Sequence, residues 1–479
     1  MLLVVLAAMI VSLYLTDPVV LATLGGPGWI TAVAGLGYVA LGGLAASVGA
    51  AVTARAVRNA PGPVPPRVLK RQNLFGLFLN VYLVGGLAAA LTLGYGRWVG
   101  FTLGLARAPL VGMLAAIAPF VAALLLVWMC GYPAYRAVRR RMAAAAVEPP
   151  VIWTRAQYVA YNARHHLLFV LVPVSLIVLL QDLLGLYLGP VLPQTALGAA
   201  LLTATMIAAA LSVFVVAPAM IVRIWRTRPL PDGPLRRGLE RMAERMGLRF
   251  REILVWRTEG AIANAAVMGL VPRVRYVLLS DALLDRMDDA EVRAIFGHEA
   301  GHAASHHILH AMVFVISAVT LCMLAGMLLA DLLSWGEWAY AVLPVVLVVA
   351  VAGVGFGMLS RRFERQSDVI GAWAVGADIE PEPPSVCGDA DAVRPEGAAL
   401  FARALQRIAA LNGIPPRQRN WRHGSIADRI SYILWLGATR GSRGTIDAAV
   451  RRIKRGLWVL LAVAVAAAVW AEFAWPVGP

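Results

Sequence analysis

Apolar residues run along this chain in long, nearly uncharged stretches, separated by two polar blocks. The stretches cover approximately 1–16, 28–52, 74–95, 108–131, 166–189, 196–219, 308–331, 339–359 and 456–475. A helix needs about 20 such residues to cross a bilayer, so nine spans are predicted, of which the first is short. That first run has no basic start and no small-x-small cleavage site, and a second apolar run follows it. It therefore reads as a span rather than a cleaved leader. The polar blocks lie at 220–307 and 360–455. Five regions follow: a membrane domain of about six spans over 1–219, a first polar half over 220–307, a transmembrane hairpin over 308–359, a second polar half over 360–455, and a last span over 456–479.

Inside the first polar block the periodicity changes. Pro229-Leu230-Pro231-Asp232-Gly233-Pro234 has the composition of a linker. Leu239, Met242 and Met246 share one stripe, which predicts an amphipathic helix over Leu235–Met246. Leu248–Val255 and Val274–Leu279 read as strands, with the small apolar segment Ala261–Met268 between them. Ser280 is placed to cap a short helix through Leu284. Asp288 and Asp289 then open a longer helix, where acidic groups favour the N-terminal dipole.

Charge sets the orientation. The 479 residues are 60% hydrophobic and 15% charged, with a net charge of +16. Their mean hydropathy is +0.72. Such a basic balance could suggest nucleic acid, but here the basic residues flank apolar runs, where they anchor spans and face anionic lipid. No nucleic-acid partner is expected. The loops alternate. Asp17 stands alone in 17–27, followed by a loop with Arg55, Arg58, Arg67, Lys70 and Arg71. Arg97 and Arg107 come next, then a loop with Arg136, Arg139, Arg140, Arg141, Arg155 and Arg164. The positive-inside rule puts the N-terminus and both polar blocks in the cytoplasm and the C-terminus outside. Cys130, Cys322 and Cys387 are too scattered for a disulfide framework.

The long polar helix carries the chemistry, in Phe296-Gly297-His298-Glu299-Ala300-Gly301-His302. Two histidines four residues apart on a helix share a face and can bind one metal ion. Glu299, one position round from the first, can take a proton from a water that the ion has acidified. Two imidazoles are an incomplete set, since a catalytic zinc keeps three protein ligands. His306, His307 and His310 are poor candidates, because one straight helix does not wrap three side chains round one ion. A metzincin would need Gly and His where Ser305 and Ile308 stand. Glu364, in Ser360-Arg361-Arg362-Phe363-Glu364-Arg365-Gln366-Ser367-Asp368, leaves the eighth span on the same side as the motif. On the residues alone, a third ligand and a solvated helix end fit Glu364 equally well. Asp368, one turn on, can accept the spare N–H of His298 or His302.

H-E-x-G-H, two spans, then S-R-R-x-E-x-x-x-D resembles the membrane zinc metallopeptidases of the CAAX prenyl protease and HtpX group. Leu279–Leu284 with Asp289–Val292, Asn264-Ala265, and His423-Gly424-Ser425-Ile426-Ala427-Asp428-Arg429-Ile430 resemble three further segments of that group. The resemblance covers roughly 230–437. It departs at Gly424, where the group usually has Pro, and in the six spans before the motif. It implies a predominantly α-helical polytopic membrane protein with a small cytoplasmic α+β gluzincin-type metalloprotease domain split by the hairpin. It implies one zinc ion per chain, held by His298, His302 and Glu364, with Glu299 as base. It also implies that Asn264 holds substrate backbone and that His423 and Arg429 line the site, with His423 a candidate oxyanion donor. From the residues themselves, Asn264 also fits a turn, and Ser425 with Asp428 fits a helix cap. Asp378–Ala398, acidic and Pro-rich, reads as an ordinary solvated loop.

The expected function is zinc endopeptidase action on membrane or membrane-associated polypeptides, in the inner membrane if the source is bacterial. The alternatives are processing of lipidated C-terminal peptides and a non-catalytic membrane scaffold with a relic zinc site. Expected partners are a peptide or protein substrate and the lipid bilayer.

Overall fold

Uncharged runs of this length can satisfy their backbone groups in a bilayer as helices, and helices are what they form. The fold comes from a computed structural model that describes residues 1–15, 28–62, 64–105, 108–145, 151–379 and 391–474. Asp17, Arg107, Cys387 and residues 380–390 of the Pro-rich segment lie outside the described residues. Among the described residues, eight helices are long and apolar enough to cross a membrane. The first expected span is the exception. It forms a helix of 14 residues, Leu2–Leu15, or about 21 Å at 1.5 Å per residue, against a hydrocarbon core of about 30 Å.

The chain divides into two units, Met1–Thr227 with Arg257–Ala261, and the remainder. The first unit holds the helices Gly28–Asn59, Pro66–Ala90, Pro109–Ala145, Phe169–Tyr187 and Ala196–Ile224. Leu83, Leu87, Met113, Ile117, Phe120 and Leu124 form the heart of its core. The glycine-rich helix packs closely at two points. A Cβ on Gly43 would fall 2.4 Å from the Leu126 side chain, and one on Gly49 2.1 Å from the Phe75 ring. Gly35 and Gly37 face open space instead.

The second unit contains a four-stranded sheet in the order β1-β2-β4-β3. Its strands are β1 Arg228–Pro229, β2 Glu252–Trp256, β3 Ala265–Met268 and β4 Tyr276–Ser280. β2 and β4 pair in parallel and the two outer strands antiparallel. Every residue of β4 is buried, as its unbroken apolar run requires. Pro229 sits in an edge strand, where a missing N–H is tolerated. The expected linker is therefore partly strand.

The other strands are shorter than the periodicity suggested, for local reasons. Gly247, at φ +64°, closes the preceding helix, Pro234–Arg245. The Leu248 N–H then bonds back to Ala243 O and the Gly247 N–H to Glu244 O, a Schellman closure that takes Leu248 out of the strand. Glu259 and Gly260, both at positive φ, turn the chain before β3. Pro272–Val274 forms a 3-10 turn before β4.

Ser280 caps the next helix, Asp281–Arg286, by accepting from Leu283 N. Asp288 and Glu291 make a reciprocal capping box on the motif helix, Asp289–Ala304. At His306 the backbone swings to φ +54°, and a new helix, His307–Leu333, begins. Ser334 and Gly336 turn the chain into a 43-residue helix, Glu337–Ile379. At 1.5 Å per residue this helix is about 65 Å long, twice the thickness of a hydrocarbon core. Its first half is apolar, and its second half carries Glu364 and Asp368 without a break.

Candidate metal centre

The motif helix lies against the second half of the long helix with almost nothing between their backbones. A Cβ on Gly297 would come 3.2 Å from Gly371 Cα, and one on Gly301 3.3 Å from both Ile370 Cβ and Ser367 Cα. A Cβ on Gly371 would meet His298 N at 3.0 Å and the Phe401 ring at 2.8 Å. Only glycine lets the helices come this close, and the closeness brings a carboxylate from one to the imidazoles of the other. Gly371→Val is expected to force them apart. Overpacking of this kind typically costs about 1–3 kcal/mol, and zinc affinity is expected to fall with it. Thermal unfolding and chelator competition would check this, and a variant unchanged in both would show that the close approach is not required.

The side chains converge. His298 Nε2 and His302 Nε2 are 3.3 Å apart. Glu364 Oε2 is 3.6 Å from the first and Oε1 3.5 Å from the second. Ligand atoms bonded at about 2.0–2.1 Å in a tetrahedron are roughly 3.3–3.4 Å from one another. The two ring nitrogens have about that separation, each faces a different oxygen of the Glu364 carboxylate, and the ligand types are those a zinc ion takes. Two ring nitrogens at 3.3 Å also repel unless a cation, proton or metal, lies between them. His298, His302 and Glu364 can thus hold a metal ion together.

Behind them is a layer of charge. His298 Nδ1 is 2.9 Å from Asp368 Oδ1. Arg429 donates to both oxygens of Asp368, from Nε at 2.8 Å and Nη2 at 2.6 Å, and its Nη1 is 3.4 Å from Glu364 Oε2. Such a fork fixes a carboxylate in direction as well as position. Arg429 comes from the helix Ile426–Ala438, capped by Ser425, which accepts from Asp428 N. His423 Nδ1 is 2.7 Å from Glu364 Oε1. Gly424, at φ +73°, holds the turn after it. A proline ring, locked near −65°, could not take that conformation.

Protonation follows from these contacts. Burial alone would lower the pKa of His298, but Asp368 at its Nδ1, with Glu364 beyond, outweighs burial and raises it. Burial, then the charge on His298, lowers His302 to about 3. Burial opposes the charge of Arg429, and the two carboxylates more than restore it. Burial pushes the Glu299 carboxyl up to about 7, with Glu364 adding to the rise and His298, His423 and Arg429 opposing it. A carboxylate near neutrality is suited to proton transfer at physiological pH.

Six of the residues singled out in the sequence thus gather at one place: His298, His302, Glu364, Asp368, His423 and Arg429. Asp368 faces His298, not His302. Arg429 was expected to line the site, and its guanidinium is turned to the two carboxylates. Asn264 is exposed just before edge strand β3, with its N–H donating to Ser280 Oγ. His310 bonds to the carbonyl of His306. His307, a poor ligand candidate by sequence, has its Nδ1 3.0 Å from His302 Nδ1. The left-handed turn at His306 carries it there, and no periodicity along a single helix signals such a turn.

Residues 229–381 match Peptidase family M48. CAAX prenyl protease 1 of Saccharomyces cerevisiae is 31% identical over 88 residues, which are 18% of this chain and 19% of that protein. A protease HtpX homolog of Aeropyrum pernix is 30% identical over 161 residues, 31% of this chain and 48% of the relative. Protease HtpX of Hydrogenovibrio crunogenus is 29% identical, over 29% of this chain and 50% of the relative. The chain spans half the length or less of these curated relatives. The crystal structure of S. mikatae Ste24p shares the fold, with a TM-score of 0.50 at 12% identity, over 85% of this chain and 100% of that one. The resemblance read from the motifs is therefore matched by relatives in both branches of the group, and the polytopic helical fold by a solved structure.

Proposed function

We propose that the chain is a membrane-embedded zinc endopeptidase that cleaves membrane or membrane-associated polypeptides. The observation that carries this reading is the convergence of His298 Nε2, His302 Nε2 and the Glu364 carboxylate at 3.3–3.6 Å from one another, with Glu299 one position from the first ligand. When bound, zinc would acidify a water and polarise the scissile carbonyl. Glu299 takes the proton from the attacking water and returns it to the leaving amine. His423, partly exposed beside Glu364, donates to the oxygen on which charge develops. Arg429 and Asp368 hold the ligand side chains from behind. An extended substrate adds to the free edge of β3, next to Asn264, through its main chain. That mode gives affinity without strict sequence choice. The clustering of basic loops on one side supports a cytoplasmic site.

The test is hydrolysis of an unfolded protein such as casein by the purified protein in detergent or lipid. Cleavage is expected, to be stopped by a zinc chelator and restored by added zinc. Bound zinc with no cleavage of any substrate would favour the relic-site scaffold instead. Relatives named as CAAX prenyl proteases support a second reading, in which a lipidated C-terminal peptide is the substrate. A farnesylated C-a-a-X peptide offered beside its unmodified twin separates the two. General membrane proteolysis predicts comparable rates.

A further inference from the structure

The geometry points to Gln366 and Asp447 as positioning residues that hold His302, through His307, in its metal-binding tautomer. The inference rests on the ligand set proposed above and extends it to a residue 145 positions from His302 in the sequence.

His307 is 3% exposed, Gln366 is 5% exposed, and Asp447 is partly buried in the first turn of the helix Gly444–Ala474. Gln366 Nε2 is 2.5 Å from Asp447 Oδ1. An ionised carboxylate only accepts hydrogen bonds, so it must face the NH2 end of the Gln366 amide. That fixes which way the amide points, a choice that rests on its hydrogen-bond partners. The amide oxygen then faces His307, whose Nε2 lies 2.8 Å away. An amide oxygen only accepts, so His307 Nε2 carries the proton. A neutral ring has one such proton, and His307 Nδ1 is left with a lone pair.

That lone pair faces His302 Nδ1 at 3.0 Å, and His302 must donate. Its own single proton then sits on Nδ1, and Nε2, the atom that faces His298 and Glu364, is left bare. Each link permits one assignment at the next, and the direction is set at Asp447. The plane of the middle ring is fixed too, because His307 stacks on Phe363 with centroids 4.1 Å apart and planes 5° from parallel. Ser367 Oγ, 3.5 Å from His307 Nδ1, is placed to donate to the same lone pair. His298 reaches the same end by a shorter route, with Asp368 at its Nδ1. The two ligands are therefore oriented by different means, one by a direct carboxylate and the other by a carboxylate three residues away. Outer partners of metal-ligating histidines fix tautomer and ring direction, and their loss typically weakens metal binding about 10–100-fold.

The test is zinc affinity, measured by chelator competition on the full-length protein, for Gln366→Met, Asp447→Asn, Asp447→Glu and the double variant Gln366→Met/Asp447→Asn. Gln366→Met keeps the volume and removes both polar ends, and is expected to weaken zinc binding about 10–100-fold. Asp447→Asn, which can present either end of its amide, is expected to weaken binding less. Asp447→Glu is expected to retain most of the affinity. The double variant is expected to be no weaker than Gln366→Met alone, because both act through one ring. Zinc affinity within about twofold of wild type in Gln366→Met would overturn the proposal, as would losses that multiply in the double variant. A lower melting temperature of the metal-free protein with unchanged zinc affinity would mark the contacts as structural only, and would also overturn it. His302→Ala, run alongside, tests the ligand set itself. If that variant binds zinc as wild type does, the ligand reading has failed and not merely its support.

Discussion

Glu299→Gln is expected to reduce casein cleavage about 10²–10⁴-fold, the usual contribution of a positioned general base, while leaving zinc bound. The amide keeps the shape of the carboxyl and still fits the partly buried position between His298 and Ala300, but it cannot accept and release a proton. The side chain is not one of the three groups that converge on the metal position, so the metal content is expected to hold. Burial raises this carboxyl to about 7, and replacing it with a neutral amide removes a desolvated acid rather than a stabilising charge. The fold is therefore expected to tolerate the change. Cleavage rate and zinc content on the same preparation check it. Undiminished cleavage rejects Glu299 as the base, and loss of zinc places Glu299 among the ligands.

Removing the proposed carboxylate ligand has the second large effect. Glu364→Ala is expected to weaken zinc binding by more than about 100-fold, beyond what the loss of an outer partner does, and to abolish hydrolysis. Two imidazoles remain, one short of the usual catalytic set. The change also frees His423, 2.7 Å from the lost oxygen, and relieves Arg429 of one of its two carboxylates. Arg429 keeps its fork to Asp368, so no buried charge is left alone and the protein is expected to fold. Zinc stoichiometry after dialysis, with thermal unfolding as the control for folding, reads the result. Wild-type zinc affinity in Glu364→Ala would remove Glu364 from the site and with it the His, His, Glu set.

Much of this was legible along the chain because the relevant physics is local. A charge-free run of bilayer length reads as a helix whatever surrounds it. The first run is the instructive exception: at 14 residues it has the composition of a span without the length. Asp288 with Glu291 and Ser280 with Leu283 cap their helices through bonds three residues apart, a distance a sequence pattern can see. Strand ends were less legible. Whether Leu248 extends a strand or closes a helix depends on Gly247 adopting positive φ, and a glycine permits that conformation without compelling it.

His298, Glu299 and His302 were identified by spacing alone, since one helical turn puts both rings on one face wherever the helix lies. Glu364 was different. By residue type it was as good a solvated helix end as a ligand, the family resemblance favoured a ligand, and its closeness to the rings, across 62 residues from His302, is what the structure adds. That distance depends on Gly297, Gly301 and Gly371 letting two backbones touch, a fact about a pair of helices that neither helix carries by itself. The pairing of Asp368 with His298, the turning of Arg429 toward both carboxylates, and the chain from His302 through His307 and Gln366 to Asp447 are of the same kind. Periodicity and composition determined which segments are helices, which of them suit a bilayer, and which face bears the imidazoles, because those properties repeat within a few residues. The approach of the Glu364 carboxylate to the rings, the tautomers and the partners behind them were decided only by tertiary packing, because a hydrogen bond or a ligand face depends on where distant atoms meet.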